Sequence, residues 1–112
     1  MARPALPATA DVVVMGLGRF GSSVAIHLAR LGHEVLAIDR REELVQRWAG
    51  ELPHVVQADT TDPKALRRLG VDNFQHVVVA IGEDIEASVL TVLALTEIGC
   101  KDIWAKALQD RH

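Results

Sequence analysis

Five short, strongly apolar runs recur along the 112-residue chain, and segments with helically spaced apolar residues separate them. Short β-branched runs bounded by turn residues are typical of strands buried on both faces of a parallel sheet. This alternation requires right-handed crossovers, which place helices on both faces. We therefore predict one Rossmann-like α/β domain, a doubly wound parallel sheet in three α/β/α layers with strand order 3-2-1-4-5. The predicted strands cover residues 11–15, 34–38, 54–58, 75–81 and 102–105, and the predicted helices cover residues 21–31, 42–48, 62–69 and 85–98.

A glycine motif of the form G-x-G-x-x-G joins the first predicted strand to the first predicted helix, as Gly16, Gly18 and Gly21. In this context the first glycine permits a tight turn, the second lets the backbone approach a phosphate, and the third lets the helix pack closely on the sheet. A helix N-terminus also attracts anions. The motif predicts a nucleotide site in the crevice between strands 1 and 4, where the hydroxyls of Ser22 and Ser23 could add donors.

Acidic side chains follow the second and third predicted strands. Asp39 lies about 20 residues beyond the glycine loop, where a carboxylate accepts hydrogen bonds from ribose hydroxyls. The same carboxylate would repel a 2′-phosphate and disfavour NADP, although Arg40 or Arg41 could pair with such a phosphate. Asp59 and Thr60 either border the adenine or belong to a helix-capping run, Asp-Thr-Thr-Asp, and the sequence does not separate these alternatives.

Composition and residue spacing argue against several classes of function. A net charge of −3 and 4% aromatic residues give no basis for nucleic-acid binding. No apolar run approaches the roughly 20 residues that span a bilayer, so we expect no direct membrane insertion. The single cysteine, Cys100, suits a reducing cytoplasm. The five histidines form no triad or metal spacing, so we predict no catalytic or metal-binding residue, and we interpret His27 and His76 as structural.

Four segments, Val14–Gly21, Gly32–Asp39, Val77–Gly82 and Ile103–Ala107, resemble the regulator-of-potassium-conductance (RCK) domain. In particular, the chain is similar to the N-terminal RCK domain of the cytoplasmic regulatory subunits of Trk- and Ktr-type potassium uptake systems. The resemblance covers nearly the whole chain after residues 1–10, which we interpret as a flexible leader. It implies that residues 11–112 are a Rossmann nucleotide-binding domain truncated at its C-terminal end.

The resemblance implies a nucleotide-gated regulator and not an enzyme. Such a regulator binds ATP, ADP or NAD(H) and works as a homodimer or a ring of dimers beneath a membrane-embedded potassium channel or transporter, at the inner face of the cell membrane. The residue pattern alone favours Arg19 as an exposed surface arginine, whereas the resemblance implies that it senses a terminal phosphate. By matching motif, the site residues are Gly16, Gly18, Arg19, Phe20 and Gly21 for phosphate, Asp39 and Arg40 for ribose, Asp59 and Thr60 for adenine, Ala80, Ile81 and Gly82 for the crevice wall, and Ser88 and Lys106 close by.

Two other functions stay open on the sequence. A fragment of an NAD-dependent oxidoreductase would share the glycine motif, but no acid–base pair accompanies it. A structural dimerisation domain with a degenerate nucleotide site would explain the fold, but the glycine motif and Asp39 are intact.

Overall fold

The computed structural model describes residues 10–82 and 84–105, in which a five-stranded parallel sheet is flanked by four α-helices. The sheet order is β3-β2-β1-β4-β5, as predicted, and every neighbouring pair is parallel. The elements in chain order are β1 (Asp11–Met15), α1 (Arg19–Arg30), β2 (Glu34–Asp39), α2 (Glu42–Trp48), β3 (His54–Gln57), α3 (Pro63–Arg68), a 3₁₀ turn (Val71–Asn73), β4 (His76–Val79), α4 (Ile85–Glu97) and β5 (Ile103–Ala105).

The central strand β1 contributes side chains to two separate apolar cores. Successive side chains of a strand point to opposite faces of the sheet. Val12 and Val14 therefore join the cluster that includes Ala25 of α1, whereas Val13 and Met15 join the cluster that includes residues of α3 and α4. Both faces of the sheet are therefore covered, which confirms the predicted three-layer arrangement. Burial on both faces is also the reason why β1 is an unbroken apolar run.

The starts of α3 and α4 follow the capping chemistry of the sequence, whereas no side chain caps α1 or α2 among the described residues. Asp62 precedes Pro63, and its Oδ1 accepts a hydrogen bond from the Lys64 N–H at 3.0 Å, which confirms the predicted start of α3. Asp84 caps α4 in the same way by accepting from the Ala87 N–H at 2.9 Å. α1 starts two residues earlier than predicted, at Arg19.

Strand β4 is shorter than the predicted span of residues 75–81. Its last residue, Val79, pairs with Met15, the last residue of β1. The Ala80 N–H still donates to the Met15 carbonyl at 2.7 Å, but beyond that point the chain turns away to form a wall of the crevice. The prediction also missed the 3₁₀ turn at Val71–Asn73. Residues 1–9 of the predicted leader, and Lys106, lie outside the described residues.

Candidate functional site

A cavity of about 150 Å³ lies at the carboxyl ends of the strands, beside the switch point between β1 and β4. In open α/β sheets this edge is where ligands bind, because the crossovers run in opposite directions there. The volume is below the roughly 300–1,000 Å³ of small-molecule sites, so a whole nucleotide would extend beyond it or displace a lining side chain. The lining residues are Gly16, Ile38, Asp39, Arg40, Arg41, Asp59, Thr60, Thr61, Ile81, Asp84 and Ala87.

The glycine loop is held against β4 by contacts that exclude side chains. Gly16 has a φ of +104°, and a Cβ there would lie 2.3 Å from the Ala80 carbonyl oxygen. A Cβ on Gly21 would lie 1.8 Å from the Gly16 carbonyl oxygen. The tight turn at Gly16 and the close helix packing at Gly21 are therefore confirmed. A Cβ on Gly18 would meet nothing within 4 Å, so this position faces open space.

The start of α1 differs from the starts of α3 and α4. Within the described part of the chain, no side chain caps α1, whose N-cap residue is Gly18. The first N–H groups of a helix have no intrahelical partner and carry the positive end of the dipole. Ser22, predicted as a possible donor, instead directs its hydroxyl to the Arg19 carbonyl at 3.3 Å. Arg19 and Phe20 form the exposed first turn beside the loop.

Asp39 ends β2 and is 4% exposed. Its Oδ2 accepts from the Leu17 N–H at 2.7 Å and from Arg41 Nη2 at 3.2 Å. Its Oδ1 accepts from the Arg41 N–H at 2.8 Å and from Arg41 Nε at 3.1 Å. Burial opposes ionisation, but the hydrogen bonds from Arg41 and Leu17 outweigh it and hold the pKa of Asp39 below its ordinary value.

Arg41 lines the cavity, although the sequence analysis named it only as a possible partner of a 2′-phosphate and not among the site residues. The hydrogen bonds to Asp39 raise the pKa of Arg41, and its side chain is 53% exposed at the cavity. Arg40 also lines the cavity, and its carbonyl accepts from Gln57 Nε2 at 3.1 Å. The only sequence signal for Arg41 was its position two residues after Asp39, and nothing local distinguishes which of the two arginines turns inward.

Asp59, Thr60 and Thr61 form the β3 side of the cavity. Asp59 accepts hydrogen bonds from the Thr61 N–H at 2.9 Å and from the Thr61 hydroxyl at 2.7 Å, and these bonds lower the pKa of Asp59. The Thr60 hydroxyl lies 2.8 Å from the Thr91 hydroxyl of α4, and both residues are buried. The helix cap is Asp62, so Asp59 and Thr60 are available to the cavity wall, although both are held by protein contacts.

Six of the predicted site residues meet at this cavity: Gly16, Asp39, Arg40, Asp59, Thr60 and Ile81. Ala80 lies behind the loop, against Gly16 and Gly21, and Gly82 turns the chain with a φ of +84°. Ser88 lies one turn into α4, where its N–H donates to the Asp84 carbonyl. Neither Gly82 nor Ser88 lines the cavity, whereas Asp84 and Ala87 do, without having been predicted.

The histidines with hydrogen bonds lie away from the cavity. His27 Nδ1 contacts the Ser23 carbonyl oxygen within α1 at 3.0 Å, and His76 Nδ1 pairs with the Asp102 carboxylate at the amino ends of β4 and β5. These contacts confirm the structural interpretation of both residues. Across residues 10–82 and 84–105, no helix combines the length and the apolar character that crossing a membrane requires.

Comparison with known proteins gives three relevant matches. The sequence profile of the TrkA-N domain matches residues 12–112. The Ktr system potassium uptake protein A of Bacillus subtilis (strain 168) is 48% identical over 99 residues, which are 88% of this chain and 45% of that protein. The Ktr system potassium uptake protein C of the same organism is 47% identical over 102 residues, which are 91% of this chain and 46% of that protein. The chain thus spans just under half the length of both proteins.

A solved structure supports the same fold. The NAD(P)-binding domain of an exopolyphosphatase-related protein from Archaeoglobus fulgidus superposes with a TM-score of 0.73 at 27% identity. The match covers 86% of this chain and 70% of that chain. The Rossmann-like architecture predicted from strand–helix alternation is therefore confirmed by an independent structure.

Proposed function

Because this chain belongs to the TrkA-N domain family, we propose that it is the nucleotide-sensing domain of a regulatory subunit in a potassium uptake system. The two Ktr proteins, which are named for potassium uptake, support this role. The observation that carries the proposal is the uncapped start of α1 beside the open space at Gly18. A membrane-embedded channel or transporter is the partner, and the domain works in the cytoplasm at the inner face of the membrane.

The proposed ligand is an adenine nucleotide, either ATP or ADP, or NAD(H). Its phosphates lie over Gly18 and the first turn of α1, where N–H groups and the helix dipole favour an anion. Arg19 contacts the terminal phosphate, and Phe20 flanks it. The ribose lies toward Asp39 and Arg40, as in dinucleotide-binding Rossmann folds.

The adenine lies between the β3 side of the cavity and the start of α4. Asp59 and Thr60 border it on one side, and Ile81 forms the opposite wall. In this proposal Ala80 and Gly82 support that wall from behind, and Ser88 lies near it. The Archaeoglobus fulgidus neighbour, described as an NAD(P)-binding domain, supports a nucleotide in this crevice.

Regulation by this domain requires a second copy. Ile85, Val89 and Leu93 recur every four residues along α4 and are 62%, 52% and 58% exposed. Residues four apart lie on one face of a helix, so these side chains form a continuous apolar stripe. We propose that the stripe packs against the same stripe of a second chain. A nucleotide then shifts the paired state to the extent that its affinities for the two arrangements differ.

An oxidoreductase role has less support from the cavity. None of the described lining residues is His, Cys, Lys or Tyr. Two of the three carboxylates that line the cavity, Asp39 and Asp59, accept hydrogen bonds from backbone N–H groups at the strand ends. The pKa of each is lowered, which suits binding more than proton transfer. We therefore propose a binding function without catalysis.

Isothermal titration calorimetry with ATP, ADP and NADH tests the proposal. Gly18→Asp places a carboxylate in the open space where phosphate would lie, and we expect it to weaken binding by at least about tenfold through like-charge repulsion. Gly50→Asp is the matched control because a Cβ there also meets nothing within 4 Å and Gly50 does not line the cavity. Absence of binding to folded wild-type protein, or equal affinities for the two variants, would refute nucleotide sensing at this loop.

A further inference from the structure

A second cavity, of about 450 Å³, lies at the amino ends of β2 and β3, at the opposite edge of the sheet from the first. We call it the amino-end groove; its apolar lining includes Leu36, Val56, Leu69 and Phe74, which are only partly buried. The six residues of α3 span about 9 Å, whereas the six residues of β2 span about 20 Å. Because α3 is short and follows the carboxyl end of β3, it leaves this end of the sheet face open.

The edge strand β3 forms one side of the groove. The N–H of Ala58, just after β3, donates to the Asp39 carbonyl on β2 at 3.1 Å. Backbone groups alternate sides along a paired strand, so Val55 and Gln57 direct their N–H and C=O groups away from β2. Within the part of the chain that the structure describes, no backbone group from a turn or loop bonds to Val55 or Gln57. A free edge of this kind accepts an additional strand.

The charge at the groove is negative. Glu34 lines it at the start of β2, and Asp72 lies in the 3₁₀ turn two residues before Phe74; both acidic residues are exposed. Neither carboxylate has an ion pair or hydrogen bond with another described residue. None of the described lining residues is lysine or arginine, whereas the nucleotide cavity has Arg40 and Arg41. Complementary charges select partners, so the groove suits a cationic one.

We propose that the amino-end groove docks an extended cytoplasmic segment of the membrane-embedded partner. The segment adds a strand to the free edge of β3, places an apolar side chain beside Val56 and Phe74, and directs a Lys or Arg side chain toward Glu34. Cytoplasmic segments of membrane proteins carry an excess of Lys and Arg, which matches the charge of this surface. The identity of the partner rests on the proposed function, while the groove itself is separate from the nucleotide cavity.

The register of the sheet determines the spacing of the docked residues. Glu34 and Leu36 lie two positions apart on β2 and therefore share one face of the sheet. His54 of β3 is paired with Leu36, and Val56 follows two positions later on the same face. An added strand presents every second side chain to this face. An apolar residue beside Val56 thus places a basic residue, two positions away, beside His54 and within reach of Glu34.

Two peptides that differ only in charge test the docking: TLTKTL carries this spacing, and TLTETL replaces its lysine with glutamate. In nuclear magnetic resonance titrations of the isotope-labelled chain, we expect TLTKTL to shift the amide resonances of Val55 and Gln57. We expect TLTETL to bind about threefold to fivefold more weakly, the change typical of one exposed ion pair. Glu34→Lys should reverse this preference. Glu43→Lys makes the same charge change at an exposed position outside the groove and should preserve it.

TLTKTL with N-methyl groups at alternate backbone nitrogens cannot donate to β3 and should not bind. Equal affinities for the two charged peptides, or unshifted β3 amides at millimolar peptide, overturn the docking, and unaltered binding of the methylated peptide overturns strand addition. Shifts of the β3 amides with the concentration of the chain itself would show that a second copy occupies the edge instead. If ATP, ADP or NADH binds and the peptides do not, nucleotide sensing stands and the groove assignment fails; the converse result removes nucleotide sensing alone. Circular dichroism establishes that each variant is folded.

Discussion

The hydrogen bond between Thr60 and Thr91 joins residues 31 positions apart and ties the cavity wall to α4. Thr60→Val removes one hydroxyl and leaves the other, on Thr91 at 0% exposure, without its partner. A buried polar group left unpaired costs about 1–3 kcal/mol, so we expect Thr60→Val to lower the free energy of unfolding within that range. Thr91→Val leaves the Thr60 hydroxyl, which keeps slight solvent contact at 8% exposure, and should cost about 1 kcal/mol.

The double variant provides the decisive comparison. With both hydroxyls replaced by methyl groups of similar shape, neither is left unsatisfied, and the total loss should be smaller than the sum of the single losses by about 1 kcal/mol or more. Urea denaturation followed by circular dichroism measures all four proteins, and Thr60→Ser is the control that keeps the hydroxyl. Additive single losses, within about 0.5 kcal/mol, would refute the reasoning because residues without coupling behave in that way.

Three further predictions concern the loop, the carboxylate and α4. Gly21→Ala should destabilise the fold by about 1–3 kcal/mol or more in thermal unfolding, because the new Cβ would lie 1.8 Å from the Gly16 carbonyl oxygen. Gly50→Ala is the control and should not destabilise the fold, because a Cβ there meets nothing within 4 Å. The folded state lowers the pKa of Asp39, so the ion pair of Asp39 stabilises the fold fully above the ordinary aspartate pKa of about 3.9. This stability is lost as the pH falls through the folded pKa. Asp39→Asn should flatten the pH dependence of the free energy of unfolding, measured by urea titration at several pH values. Leu93→Glu should reduce self-association in sedimentation velocity, and wild-type protein that stays monomeric at high concentration would contradict pairing through α4.

The fold was predictable because its determinants are local. Each strand is a short apolar run and each α-helix has its own spacing or cap, such as Asp62 before Pro63. The roles of Gly16 and Gly21 also follow from the sequence, since a strand, a turn and a helix meet within a few residues. The end of β4 was predicted two residues too late because the apolar run continues through Ile81. The turn after Val79 depends on the packing of Ala80 against the glycine loop, which is a contact distant in sequence.

The polar contacts of the site were less predictable for a related reason. Asp39 was predicted from its distance to the glycine loop, but its pairing with Arg41 depends on which of two adjacent arginines turns inward. The partner of Thr60 could not be inferred from any local pattern, because Thr91 lies on the inner side of a helix whose exposed side is also apolar. Sequence spacing thus located the residues of the site, while their hydrogen-bond partners required the folded chain.

Two of these partnerships determine how a bound nucleotide could act on the rest of the domain. Asp39 connects the end of β2 to the glycine loop through the Leu17 N–H, and Thr60 connects the end of β3 to α4. In the proposed complex, an adenine would contact Thr60, the residue whose hydroxyl joins the end of β3 to α4. The same helix carries the exposed apolar stripe on its other side, so the proposed ligand contacts and the proposed pairing would be linked by one helix. Coupling between them should therefore weaken in Thr60→Val even where nucleotide affinity is retained, since a ligand can act on a distant surface only through contacts that differ between two arrangements.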